Sequence, residues 1–201
     1  MKQVISIGKQ DFASLREGNY FFVDKTSFIS DWWESGDEIT LIARPRRFGK
    51  TLNMSMLNCF FSHQYAERAD LFEGLSIWEK EDYRAIQGKY PVIFLSFADV
   101  KQDNYRDAIY KIKKIIANVY QQFHEIGRSE ALTEVQRRQF MNVTADMDDV
   151  TAQSALQDLS CFRHWNFLAL EKRKVLSKRG MTVLSSVPKR IFIIPGQSLI
   201  F

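Results

Sequence analysis

Cysteine is scarce in these 201 residues: Cys59 and Cys161 are the only two. That is too few for a disulfide scaffold or a four-cysteine zinc site, and it fits a reducing compartment. The three histidines, His63, His124 and His164, are scattered, with no H-E-x-x-H or comparable spacing, so a zinc centre is not expected. No apolar run approaches ~18 residues, so no membrane-spanning helix is expected. The opening stretch, MKQVISIGKQDF, has no apolar segment of the secretory kind. Internal repeats and low-complexity segments are also missing. A hydrophobic fraction of 45% with 26% charged residues is ordinary for a globular chain, which excludes wholesale disorder, collagen and coiled coil. The expectation is a cytoplasmic protein without a membrane partner, long enough to bury a core without staples.

Acid is what the last quarter lacks. The net charge of +4 is unevenly spread: residues 1–154 hold 20 Lys and Arg against 22 Asp and Glu, and residues 155–201 hold 8 against 2. From Lys172 onward there is no acidic residue at all. The basicity therefore belongs to the tail, and the rest is slightly acidic.

What is present reads as alternating strands and helices. Val4–Ile7 reads as an extended or looped piece, and Asp11–Arg16 as helix-prone. Tyr20-Phe21-Phe22-Val23 has β character. Asp24 is placed to cap a helix over Lys25–Trp33 that stops at Gly36. Ile39–Ala43 is expected to be a buried, β-branched strand, followed by the turn-and-charge cluster Arg44–Gly49 and then by a helical pattern with Leu52, Met56, Leu57, Phe60 and Phe61 on one face. Pro91–Phe97 is a nearly unbroken apolar run of the kind a parallel sheet buries on both faces. Ile109, Ile112, Ile116, Val119, Phe123 and Ile126 then mark a long amphipathic helix ending at Gly127. Further helices are expected over about Glu130–Met141 and over Thr151–Leu159, the second after the acidic Asp146, Asp148 and Asp149. Past Ser160 the pattern loses coherence apart from one candidate strand, Ile191–Ile194. Strand, helix, strand, helix at this spacing argues a three-layer α/β arrangement.

Chemistry is most legible at Arg44-Pro45-Arg46-Arg47-Phe48-Gly49-Lys50-Thr51. A phosphate loop needs a buried strand, a turn with inward-facing amides, then Lys and Ser or Thr opening a helix. The amides and the helix N-terminus hold phosphate oxygens, the lysine reaches the terminal phosphates and the hydroxyl binds Mg²⁺. Strand, Gly-Lys-Thr triplet and helix all stand in that order here. The usual first glycine would fall at position 44, where this chain has Arg44; a basic surface turn is the competing reading.

The string Leu41 to Leu57 resembles the phosphate loop of the bacterial AAA-ATPase-like family, in which Arg-Pro-Arg-Arg-Phe-Gly-Lys-[ST] replaces the glycine-first loop. Ile7-Gly8, Asp11-Phe12 and Tyr20-Phe21-Phe22-Val23-Asp24-Lys25-Thr26 resemble its N-terminal signature, and Tyr90–Phe97 its next core strand. The resemblance runs from residue 4 to about 160. It implies a P-loop NTPase-like three-layer sandwich with a mainly parallel sheet, incomplete in this chain. It also implies binding of ATP with Mg²⁺, and a family setting ahead of a nuclease-like domain. Gly49, Lys50 and Thr51 would hold the phosphates, with Thr51 on the metal. Arg44 and Arg47 would join the nucleotide site; they and Arg46 either add positive potential there or face solvent or a partner. Asp24-Lys25-Thr26 is a family signature that physically reads as a strand end and helix cap.

Hydrolysis asks for a buried strand ending in Asp, usually followed by Glu. None is evident after residue 51: Val92–Leu95 is followed by Ser96, and the next acid is Asp99. Hydrolysis by this chain therefore stays open. Residues 1–160 are expected to form the front of the ATPase-like domain and residues 161–201 a basic, atypical tail. That tail is either a frameshifted or truncated end or a divergent end with a binding role. A sheet short of its later strands would expose an apolar edge and favour self-association. The alternative of another class is a non-catalytic nucleic-acid-binding module using the basic loop and tail. A nuclease reading through Asp99-Val-Lys101 lacks an upstream acid on a strand. Cys59 reads as core, and Trp32, Trp33 and Trp78 as packing residues.

Overall fold

The computed structural model describes residues 4–36, 39–41, 48–130, 132–159, 191–194 and 198–200. The chain is mixed α/β and mostly helical. It divides into two compact units, residues 1–94 with 189–201, and residues 95–188.

In the first unit, α1 (Phe12–Glu17) begins where Asp11 caps it, the Ser14 N–H donating to Asp11 Oδ1 at 2.7 Å. α2 (Ser27–Ser35) ends at Gly36, whose φ of +73° is the left-handed stop expected there. β1 (Ile39–Leu41) precedes α3 (Lys50–Phe61), the axis of this unit, and is not the buried strand expected, since Leu41 is exposed among the described residues. Met54, Met56, Leu57, Cys59, Phe60 and Phe61 are all buried, so α3 is apolar on more than the one face its spacing suggests. Three short 3₁₀ turns (His63–Tyr65, Ala69–Phe72, Ser76–Glu79) and α4 (Glu81–Ile86) complete the wrapping.

Aromatic rings tie the core together. Phe72 stacks on Phe12 at 5.2 Å and meets Phe60 edge-on at 5.0 Å. Trp33 stacks on Phe61 at 5.2 Å, and Trp32 meets the same ring edge-on at 5.4 Å. Those tryptophans are packing residues. Burying each such side chain stabilises the fold by roughly 1.5–3 kcal/mol.

β2 (Phe94–Ser96) is shorter than the apolar run around it; in sequence, the division between the units follows Phe94. The second unit is helical: α5 (Tyr105–Gln122), a single turn α6 (His124–Gly127), α7 (Glu134–Met141) and α8 (residues 149–159). Three of these starts are capped by a side chain, Asn104 for α5, the Thr133–Gln136 capping box for α7 and Asp148 for α8, whereas α6 follows Phe123 without one. The Tyr120 hydroxyl donates to the Ala155 carbonyl at 2.6 Å, fastening α5 to α8. Tyr120 also packs on Phe140 of α7, ring centres 4.8 Å apart.

β3 (Ile191–Ile194) and β4 (Ser198–Ile200) lie in the tail and belong to the first unit. β3 runs parallel to β1, pairing Ile39 with Ile191 and Leu41 with Ile193. β4 runs antiparallel to β3, pairing Phe192 with Ile200. Among the described strands one pairing is parallel and one antiparallel; they do not by themselves establish the mainly parallel sheet of a phosphate-loop sandwich.

Two expectations change. Tyr20–Val23 is not a strand: one rung joins it to the opening segment, the Phe21 N–H donating to the Val4 carbonyl at 3.0 Å. The run is used for packing instead, with Phe22 edge-on to Phe12 at 5.5 Å. The long helix expected to reach Gly127 is interrupted at Phe123, where α5 gives way to α6.

Candidate site at the start of helix α3

Gly49 caps α3 with φ +74° and ψ 16°. Among the described residues, its two chain neighbours aside, no atom lies within 4 Å of where its Cβ would be. Backbone conformation, and not crowding, therefore asks for glycine here. The Gly49 carbonyl accepts the Asn53 N–H at 2.9 Å, so the helical ladder starts at this residue. Gly49, Lys50 and Thr51 are half-buried, while Phe48 ahead of them is 57% exposed. A helix of this length carries a partial positive charge at its N-terminus, where anions are favoured. The chemistry of the group fits a phosphate: helix start, lysine and hydroxyl in three consecutive positions. Among the described residues no three His, Cys, Asp or Glu side chains gather to hold a metal ion. Arg44, Arg46 and Arg47 lie outside the described residues. Asp99 and Lys101 are exposed in the turn region after β2, in the second unit.

Beneath α3's first turns lies a polar cluster that the sequence alone did not single out. Ser55 is 7% exposed, among buried Met54, Met56 and Leu57. Its Oγ accepts the Phe12 N–H at 2.9 Å and donates to Asp11 Oδ2 at 3.0 Å. Partial burial works to raise the Asp11 pKa, but the Ser14 and Ser55 hydrogen bonds outweigh it and hold the carboxyl below its ordinary value. A lone serine inside an apolar helix run was the available signal. Its partners, more than forty residues away, were not visible locally.

The Asp24-Lys25-Thr26 segment proves to be a fastening. Thr26 is fully buried. Asp24 Oδ1 accepts the Thr26 N–H at 2.8 Å and its hydroxyl at 2.7 Å, and Oδ2 accepts the Ser76 N–H at 2.7 Å. The Ile77 N–H donates to Thr26 Oγ1 at 3.2 Å. Asp24 thus joins the entry of α2 to the Ser76–Glu79 turn instead of capping the helix directly. Burial opposes ionisation of Asp24, yet the bonds from Thr26 and Ser76 bring its pKa below 3.8. Cys59 is core: burial, with the Asp11 charge adding to it, pushes its thiol up to about 12, which makes it a poor nucleophile.

A family described as "Predicted AAA-ATPase" matches residues 6–159. A protein of Azotobacter chroococcum mcd 1, described as "Uncharacterized protein in vnfD 5'region", is 37% identical over 97 residues. Those residues are 48% of this chain and 17% of that protein, so the chain spans well under a fifth of this relative's length. No solved structure matches.

Proposed function

Because the chain belongs to the predicted AAA-ATPase family, we propose that it binds ATP with Mg²⁺ at the start of α3, through Gly49, Lys50 and Thr51. The observation that carries the reading is a left-handed Gly49 opening a twelve-residue helix, buried from Met54 onward except at Asn58, directly ahead of Lys50 and Thr51. Helix-start amides and the Lys50 ammonium would hold the phosphate oxygens, and the Thr51 hydroxyl would contribute one oxygen to Mg²⁺. Mg²⁺ characteristically takes its remaining ligands from phosphates and water and needs no cage of protein carboxylates. Arg44 and Arg47 would add positive potential to the same loop. The wider reading, a P-loop sandwich over residues 1–160 working in the cytoplasm and able to self-associate through a sheet edge, belongs to this proposal. Hydrolysis does not, since no acid at the end of a buried strand is evident after residue 51.

Lys50→Ala tests it. Replacing the lysine should weaken Mg-ATP binding by at least about tenfold, the loss of one charge-assisted contact to phosphate, while circular dichroism stays unchanged. Should nucleotide binding survive and the variant instead bind DNA or RNA more weakly with a shallower salt dependence, the loop belongs to a nucleic-acid interface.

A further inference from the structure

Thr51 and Ser55 stand four residues apart on α3 and so share one face, one turn apart. Thr51 is at the mouth of the proposed nucleotide site; Ser55 is bound to α1 below it. The Ser55 hydroxyl is spent on that element twice, accepting from the Phe12 N–H and donating to the Asp11 carboxylate. Asp11 in turn caps α1 through the Ser14 N–H. The two Ser55 bonds and the Asp11–Phe12 peptide link form a closed triangle between the start of α1 and the second turn of α3, with the Ser14 cap attached at its Asp11 corner.

Packing alone does not explain a hydroxyl here. Position 55 lies between two fully buried methionines, and alanine would suit both the helix and an apolar core better. A buried polar group adds little net stability but fixes how two elements meet, because only one setting satisfies every donor and acceptor. Apolar contacts around Met54, Met56 and Leu57 would tolerate a small rotation or slide of α3. The triangle would not.

We infer that the Asp11–Ser55–Phe12 triangle positions α3, setting its rotation and height so that Thr51 and the helix-start amides face the phosphates. Asp11 and Ser55 are then positioning residues, acting on nucleotide through the helix and touching none of it. The inference rests on the reading of α3 as the phosphate site.

The experiment compares four forms of the full chain, measuring Mg-ATP affinity, tripolyphosphate affinity and thermal midpoint in each. Ser55→Ala removes the triangle, Ser55→Thr keeps its hydroxyl, and Ile77→Val loosens the same core elsewhere, Ile77 being fully buried. The expected result is a loss of about tenfold in both affinities for Ser55→Ala, the size of one hydrogen bond. Ser55→Thr should recover most of it, and Ile77→Val should bind as wild type despite a lowered midpoint. Equal affinities in wild type and folded Ser55→Ala would overturn the inference while leaving the nucleotide site intact. So would parallel losses in Ser55→Ala and Ile77→Val. A wild-type chain that binds neither ATP nor tripolyphosphate would overturn the reading of the site, and the inference with it. Asp11→Asn, which keeps a capping oxygen for α1, gives a second perturbation of the triangle should Ser55→Ala fail to fold.

Discussion

Gly49 and Gly88 both hold left-handed backbone, at φ +74° and +66°, but their surroundings differ. Among the described residues a Cβ at position 49 meets nothing within 4 Å, whereas at position 88 it would run into the backbone of Ala66. Gly88 also donates its N–H to the Phe60 carbonyl at 2.8 Å, next to the Tyr90 N–H bond to Phe61. Gly49→Ala should therefore cost about 1–2 kcal/mol, the strain of left-handed backbone alone. Gly88→Ala adds a backbone clash and should cost about 1–3 kcal/mol more. Urea unfolding gives the order, and a larger loss at position 49 would contradict it. Asp24 supplies a pH dependence. Its folded pKa lies below 3.8, so its contribution is complete above that value and is lost as pH falls through the folded pKa. Asp24→Ala should lower stability by about 1 kcal/mol at neutral pH. The gap to wild type should close on acidification below pH 3.8. A gap that widens on acidification would show that Asp24 is not stabilised as its ionised form.

The helices were the most legible elements, because their signals are local. The helix-prone Asp11–Arg16 stretch holds α1, Gly36 stops α2, and the Ile116, Val119, Phe123 and Ile126 stripe marks α5 and the turn after it. Strands were harder to read, since a strand depends on a partner the local sequence does not name. Tyr20–Val23 has β-forming residues but a single rung to pair with, and its phenylalanines serve the core instead. Gly49-Lys50-Thr51 was visible for the same reason as the helices: a cap and two side chains in three consecutive positions. The triangle beneath it was not, because it joins residues 11 and 12 to residue 55. In the second unit, the Tyr120 hydroxyl is one of the ties on α8, beside the Lys113–Asp149 ion pair. Tyr120→Phe keeps the ring on Phe140 and leaves the Ala155 carbonyl without that donor, for a loss of about 1–3 kcal/mol. An unchanged urea midpoint would mean that the bond contributes nothing net to this unit.

Across the whole molecule, the charge divides more sharply than the fold. The body is slightly acidic and the tail strongly basic, yet two short tail strands, β3 and β4, join the first unit and β3 pairs with β1. The family match ends at residue 159, close to where the hydrophobic pattern loses its regularity. Within that body, the proposed function turns on a nucleotide seated at the start of α3. Amide hydrogen exchange with and without excess Mg-ATP tests this most directly, because it locates the ligand as well as detecting it. Exchange across residues 48–53 should slow on adding Mg-ATP, and Lys50→Ala should abolish the effect. Unchanged exchange there in wild-type protein, or protection confined to another segment, would contradict the account.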